Sequence, residues 1–374
     1  MHKFYSLDEI RKTNARYYVI FGERSNGKTS AVLELILKRY LESGGEQQGA
    51  VIRRWDEDIR GSKGQQVWSS IADERRLVEK YSNGEWDRII YQSRQWFLAK
   101  WDEELQKIVK DNKPFCFAFA LSQMEHYKST AYPFVTTILF DEFISPVTAG
   151  GYLVDEWVLF QNTLSTIIRQ RDNVEIYMCG NTVSKYNPYF EEMRLKNASK
   201  QEAGTIDVYE IKKGDAVNII ACERTAHTEN DSKKSDIYFS FDDTGSNMIT
   251  EGDWQLGSYP HCPMRINSKN IIYRIYIDFN DELLQGDIVV QDGTMFMYIH
   301  KKTTEVKEDI YPYYKLEFSP LKNHYINPTV AYDKVSGKIA ELFRKQKVFF
   351  QNNDIGDMTM NFISQAQKYN YMNL

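Results

Sequence analysis

The sequence predicts an α/β chain of three parts: residues 1–204 around a mostly parallel sheet, a small linker subdomain over 205–256, and a C-terminal α+β domain over 257–374. Three observations carry this. Short apolar, β-rich runs alternate with longer amphipathic stretches between about 17 and 181, the pattern of strands joined by helices. From about Gly204 the chain turns polar, and after about Gly257 closely spaced strand patterns return. At 374 residues the chain also exceeds the usual span of one hydrophobic core.

In order, the first domain's strands are expected at residues 17–21, 50–53, 115–121, 136–140 and 174–179. Between the second and third, "RIIYQSRQWFLAKW" alternates apolar and polar residues about Ser93-Arg94, a hairpin pattern at the edge of the sheet. "HTENDSKKSD" and "DDTGSNMITEGDWQ" are turn-rich and read as connecting segments. Beyond them "NIIYRIYIDF", "GDIVVQ", "TMFMYIH" and "YYKLEF" read as strands, and "KVSGKIAELFRKQKVFF" as an amphipathic helix. No internal repeat or low-complexity tract interrupts the pattern.

Composition narrows the class. A formal net charge of −5 argues against binding nucleic acid by bulk charge, so any such contact falls to local patches. The four cysteines, Cys116, Cys179, Cys222 and Cys262, are widely spaced and suit reduced thiols better than a disulfide framework. No window has the apolar length of a membrane span, and "MHKFYSLDEIRKTNARYY" lacks a signal-peptide core, so the expected setting is the cytoplasm, without a membrane partner.

The stretch "YYVIFGERSNGKTS" ends the first strand in Gly22-x-x-x-x-Gly27-Lys28-Thr29 and opens the helical pattern "SAVLELILKRYLES". This is the full P-loop pattern in its required strand–loop–helix context. Across Gly22, Arg24, Ser25, Asn26, Gly27 and Ser30, backbone N–H groups are expected to turn inward around phosphates at the helix N-terminus. Lys28 then reaches the β- and γ-phosphates and Thr29 offers its hydroxyl to Mg2+, which makes ATP and Mg2+ the expected cofactors.

"TTILFDEF" ends an apolar strand in Asp141-Glu142, which brings two carboxylates to the phosphate end of such a sheet. Asp141 is expected in the Mg2+ shell, and Glu142 as the base that orients and deprotonates the attacking water. Asn181, closing "VEIYMCGNT", is placed to sense the γ-phosphate or the hydrolytic water.

Three stretches, "GERSNGKT", "KSTAYPFVTTILFDEFI" and "NTVSKYNPYF", together resemble the DNA-packaging (encapsidation) ATPases of phi-twenty-nine-like short-tailed phages. The likeness is clear over roughly the first two hundred residues, and the Lys-Ser-x-Ala-Tyr-Pro run is its most family-specific element. It implies an ASCE-type P-loop ATPase domain in a homo-oligomeric, pentameric ring. That ring would stand at the phage portal of an empty procapsid and move double-stranded DNA inward; whether an accessory RNA mediates the attachment is left open by the sequence. Such a protein is expected in the host cytoplasm and transiently at the portal vertex, not in the mature virion. Carried over by position, Arg24 resembles an arginine that swings between phosphate and the Walker B carboxylate, and Lys128 a lysine near a neighbouring subunit's nucleotide. Arg169 resembles a trans-acting finger that stabilises charge on the γ-phosphoryl group, with Arg171 as the alternative.

The resemblance also implies a ribonuclease-H-like C-terminal fold that has lost its acidic metal cluster, with Asp278, Asp281, Asp287 and Asp292 as the acids to inspect. A motor must grip phosphates without reading bases. Arg53, Arg54, Arg60 and Lys63 are the first candidates for this, then Lys185, Arg194 and Lys196. Cys222-x4-His227 and His261-Cys262 match no usual zinc spacing. Two rivals to a packaging motor are a terminase-like motor with an active nuclease and a nucleotide-gated scaffold at the capsid vertex.

Overall fold

The computed structural model describes residues 5–127, 130–146, 151–226, 254–262, 264–279, 282–304, 315–317 and 334–370. They fall into two compact units that interleave along the chain: residues 1–145, 155–183 and 200–254 in the first, and 146–154, 184–199 and 255–374 in the second.

The described strands of the first unit are β1 (Tyr17–Gly22), β2 (Gln48–Arg53), β3 (Arg88–Gln92), β4 (Gln95–Asp102), β5 (Lys107–Lys110), β6 (Cys116–Ala120), β7 (Val135–Asp141), β8 (Glu175–Asn181), β9 (Thr205–Lys213) and β10 (Ala216–Arg224). They form one sheet in the order β3-β4-β6-β2-β7-β8-β1-β10-β9, with β5 on β4. The run from β6 to β10 is parallel throughout, because each neighbouring pair in it is parallel. Within it β1, β2, β7 and β8 are buried on both faces and therefore read as near-continuous apolar runs rather than alternations. The described helices of this unit are α1 (Asp8–Arg11), α2 (Lys28–Glu42), α3 (Gly61–Gln66), α4 (Leu77–Tyr81) and α5 (Glu156–Ile168). α2 buries Val32, Leu33, Ile36 and Leu37 in the core that includes Ile20, Val51 and Leu139 of the sheet.

The hairpin expected around Ser93-Arg94 is present as β3–β4, and both turn residues have positive φ, the two-residue turn that suits a twisted ribbon. β4 runs antiparallel to β6, so the hairpin lies toward the edge of the sheet as expected.

Two expectations are corrected. The first half of the supposed linker is sheet: β9 and β10 form a hairpin, and β10 pairs in parallel with β1 from Tyr17↔Ile220 to Phe21↔Arg224. Its pattern was inconspicuous because β9 is a half-exposed edge strand and only Ile220, Ala221 and Cys222 of β10 are fully buried. The domain boundaries change with it. Residues 184–199, assigned to the first domain, belong to the second unit, while 200–254 belong to the first. "HTENDSKKSD" lies outside the described residues.

The second unit holds α6 (Pro188–Glu192), β11 (Ile271–Phe279), β12 (Glu282–Gln291), β13 (Thr294–Lys301), β14 (Lys315–Glu317), α7 (Lys334–Arg344), β15 (Val348–Phe350) and α8 (Asn353–Asn370). Its sheet order is β14-β11-β12-β13-β15. β11, β12 and β13 form an antiparallel meander; β14 is parallel to β11 and β15 to β13. One face buries Ile275, Ile277, Leu284 and Ile299 in the core shared by Ile339, Leu342, Met358 and Phe362. The helix expected through residue 350 stops at Arg344: Gln346 takes φ 56°, and Val348–Phe350 then pairs with β13. β-branched and aromatic residues after a left-handed break favour a strand over another helical turn.

Candidate active site

The C-terminal tips of β1, β8 and β7 converge in that order, so one strand separates the glycine-rich loop from the carboxylates. Gly22 ends β1 at φ 152°, and a Cβ there would lie 2.1 Å from Thr225 Oγ1, so this position takes glycine alone. Gly27 caps α2 in the left-handed region at φ 93°, and the helix begins at Lys28 with no acid in its first turn. The positive end of its dipole is thus left for an anion.

Lys28 is buried, with Nζ 2.5 Å from Glu23 O, 3.1 Å from Asn26 Oδ1 and 3.4 Å from Asn181 Oδ1. Burial pulls its pKa down to about 8, against the opposing pull of Cys179, Glu23 and Asp141. Asn181, expected from sequence to sense the γ-phosphate or the hydrolytic water, thus has its Oδ1 toward the phosphate lysine. Arg24 and Ser25 are exposed on the loop, Ser25 at φ 60°. Ser30 Oγ lies 3.2 Å from Ser70 Oγ.

Thr29 Oγ1 donates a 2.7 Å hydrogen bond to Asp141 Oδ1, joining the two motifs across the tip of β8. A hydroxyl and a carboxylate in contact at the mouth of a phosphate loop form the hard oxygen set that Mg2+ prefers, so these residues fit the ion. Asp141 Oδ1 also accepts the N–H of Glu142 at 3.1 Å. Glu142 stands in the left-handed region at φ 57°, its side chain 62% exposed. A non-glycine residue held there is strained, and its surroundings must impose the conformation.

Those surroundings are the two arginines assigned from sequence to DNA, and both assignments are corrected. Arg53, at the end of β2, reaches Asp141 Oδ2 at 2.6 Å and Glu142 Oε2 at 2.8 Å. Burial disfavours its charge, but Asp141 and Glu142 outweigh this and hold its pKa above the ordinary value. Arg54 is buried: Nε binds Glu156 Oε2 at 2.8 Å, and the other nitrogens donate to Glu142 O at 3.1 Å and Phe143 O at 2.8 Å. It clamps the backbone that carries Glu142. Arg53 is engaged by the two acids at the end of β7, and Arg54 by Glu156 of α5 and the two carbonyls just past β7. Arg60 and Lys63 are exposed, beside Asp56 at 3.7 Å and Asp58 at 3.1 Å respectively.

Of the two finger candidates, Arg171 is held within its own chain. Its guanidinium donates to the carbonyls of Tyr132, Pro133, Val135, Ile167 and Ile168, an internal clasp between two segments. Arg169, at φ 53° just past α5, is exposed and donates to Thr130 O at 3.1 Å. Lys128 lies outside the described residues.

In the second unit Lys185 pairs with Asp354 at 2.9 Å, while Arg194 and Lys196 are exposed. Asp287 is buried among Arg274 Nε at 3.3 Å, Gln285 Nε2 at 2.7 Å and His300 Nε2 at 3.2 Å, and Asp292 sits in the β12–β13 turn. Asp281 lies outside the described residues. Among the described residues no group of three or more His, Cys, Asp or Glu is arranged to hold a metal. Cys116, Cys179 and Cys222 are free and buried, and burial pushes their thiols up. His261 Nε2 lies 3.1 Å from Asn353 Oδ1, and His227 lies outside the described residues. No helix among the described residues is long and apolar enough to cross a membrane.

Comparison with known proteins gives consistent likenesses. A family model described as podovirus DNA encapsidation protein (Gp16) matches residues 1–367. The chain is 31% identical over 171 residues to the DNA packaging protein of Bacillus phage B103, covering 46% of each. It is 26% identical over 187 residues to the DNA packaging protein of Bacillus phage phi29, covering 50% of this chain and 49% of that one. The chain thus spans about half the length of the curated relatives it matches. Among solved structures, the bacteriophage Phi-29 viral genome packaging motor assembly superposes with TM-score 0.55 at 21% identity, over 97% of this chain and 99% of that one. The Phi-28 gp11 DNA packaging motor gives TM-score 0.52 at 16% identity, over 98% and 99%. At these identities the structural matches speak for the fold alone.

Proposed function

The chain belongs to the podovirus DNA encapsidation protein family, and from that premise we propose that it is an ATP-driven motor moving double-stranded viral DNA into a preformed capsid. The observation that carries the reading is the Thr29–Asp141 hydrogen bond of 2.7 Å, which joins phosphate loop and acidic strand at one point beside Lys28. Lys28 would bind the β- and γ-phosphates of ATP, and the helix N-terminus behind it would share their charge. Thr29 and Asp141 would hold Mg2+, which when bound neutralises charge on the phosphates. Glu142 would take the proton of the water that attacks the γ-phosphorus as the bond to the bridging oxygen breaks and ADP departs. Its Oε2 is ion-paired to Arg53 at 2.8 Å, which leaves the other carboxylate oxygen to accept that proton.

Several finer parts of the reading rest on the family likeness. The motor would work as a homo-oligomeric ring, a pentamer, at the portal of the procapsid, with an accessory RNA as an optional adaptor. Arg169, exposed and lightly held, suits a cation offered to a neighbouring subunit's γ-phosphate. Arg24, exposed on the loop, suits the swinging arginine of its own site. The antiparallel meander of the second unit would be the remnant of a ribonuclease-H-like fold, without nuclease activity. The protein would act in the host cytoplasm and leave before the virion matures.

The test is ATP hydrolysis with and without double-stranded DNA, for the unaltered chain, Glu142→Gln and Arg169→Ala, alone and mixed. Turnover that rises with DNA, disappears in both variants and partly returns on mixing supports the ring motor. Turnover indifferent to DNA and to mixing overturns it in favour of a nucleotide-gated scaffold. DNA cleavage with Mg2+ or Mn2+ would favour the terminase-like alternative.

A further inference from the structure

The phosphate loop leans on a residue that no motif names. Thr225, the first residue beyond β10, is buried, and its N–H donates to Phe21 O at 2.8 Å. Its hydroxyl accepts a 2.8 Å hydrogen bond from Asn26 Nδ2. On the other side of the same amide, Asn26 Oδ1 accepts from Lys28 N at 3.3 Å and Lys28 Nζ at 3.1 Å. Both ends of the Asn26 side chain are thus engaged, one by β10 and one by the phosphate lysine. Gly22 completes the arrangement, since any Cβ there would fall on Thr225 Oγ1.

We propose that Thr225 is a positioning residue for nucleotide binding: through Asn26 it fixes where Lys28 presents its ammonium. The inference rests on the ATP-hydrolysing reading above and adds to it a strand that carries no nucleotide motif. A hydroxyl is needed rather than bulk, because a methyl in its place leaves the buried Nδ2 of Asn26 without an acceptor and frees the amide to turn. Lys28 would then lose a partner that fixes its direction. An interaction with the phosphates that is as strong before reaction as during it contributes equally to ground and transition states, so its loss raises KM and spares kcat.

The experiment measures MgATP binding and steady-state hydrolysis with the full chain. Thr225→Val is expected to raise Kd and KM for MgATP about tenfold while kcat at saturation changes less than about threefold. Thr225→Ser should return both constants to within about twofold of the parent. In an Asn26→Ala background, Thr225→Val should add nothing. Should Thr225→Val not fold, Thr225→Ser compared with Thr225→Ala reads the same hydroxyl. Unchanged MgATP affinity in Thr225→Val, a loss confined to kcat, or a full additional loss in the Asn26→Ala background overturns the proposal. A parent chain that binds no MgATP overturns the ATPase reading itself, whereas an active parent matched by Thr225→Val overturns this inference alone.

Discussion

Two cations beside the acid pair, the buried Lys28 and the half-buried Arg53, meet desolvation differently. Arg53 has two carboxylates to offset its desolvation and keeps its charge, whereas Lys28 has mainly carbonyl partners and is brought down to about 8. Polyphosphate binding supplies the missing negative charge and raises that pKa again, so binding takes up a proton wherever Lys28 is partly neutral. Affinity for MgATP should therefore be flat below about pH 8 and fall by up to ~tenfold per pH unit above it. Titration calorimetry at pH 8.5 in two buffers of different protonation enthalpy would register the uptake; equal heats in both would contradict it. The finger candidates separate by stability. Arg171→Ala strips donors from a cluster of carbonyls and should cost about 2 kcal/mol in urea unfolding, while Arg169→Ala should leave the midpoint nearly unmoved. Residue types at fixed spacing made the phosphate loop and the acid pair legible in the sequence. Arg53 and Arg54 were not, because a string of letters does not say whether a guanidinium at a strand end meets solvent or the carboxylate of the next strand.

An element can hold a catalytic residue without contributing one. Glu142 leaves β7 in a left-handed conformation, and the carbonyls of Glu142 and Phe143 are both fastened by Arg54, itself held by Glu156 in the first turn of α5. The pair is buried, with Arg54 7% and Glu156 1% exposed, so removing one charge strands the other. Glu156→Gln should cost about 3–5 kcal/mol of unfolding free energy. It should also lower turnover by letting the Glu142 backbone relax, and a melting curve with an ATPase assay reads both. Loss of stability with full activity in the folded fraction would show that Glu142 is held by other means. The inner parallel strands β1, β2, β7 and β8 were legible because burial on both faces leaves them largely apolar. β10 and β15 were harder: β10 lies between the half-exposed edge strand β9 and the distant β1, and β15 pairs with the distant β13. Local patterning alone read one as linker and the other as helix.

At the scale of the whole molecule, the interleaving of the two units makes the choice of a cut informative. A fragment ending at residue 204 retains Tyr186, Tyr189, Phe190, Met193 and Leu195, which are buried in the full chain and belong to the second unit, yet it loses β9 and β10 of the first. Its β1 would become a sheet edge, apolar through Val19, Ile20 and Phe21, with its backbone groups toward β10 unpaired. Exposed apolar edge strands template aggregation. Thr225, which closes on Phe21 O and Asn26, would be lost as well, so the phosphate loop would lack its support. A fragment ending at residue 256 carries the same second-unit residues but keeps every strand of the first sheet and Thr225, so the two cuts differ in β9, β10 and that threonine. The expected outcome is that the longer fragment is soluble, melts cooperatively and binds MgATP, while the shorter one precipitates or melts without a transition. Calorimetry and nucleotide binding on the two fragments measure this directly. A shorter fragment that folds and binds as well as the longer would mean that β9 and β10 are an appendage to the sheet, and that the phosphate loop stands without them.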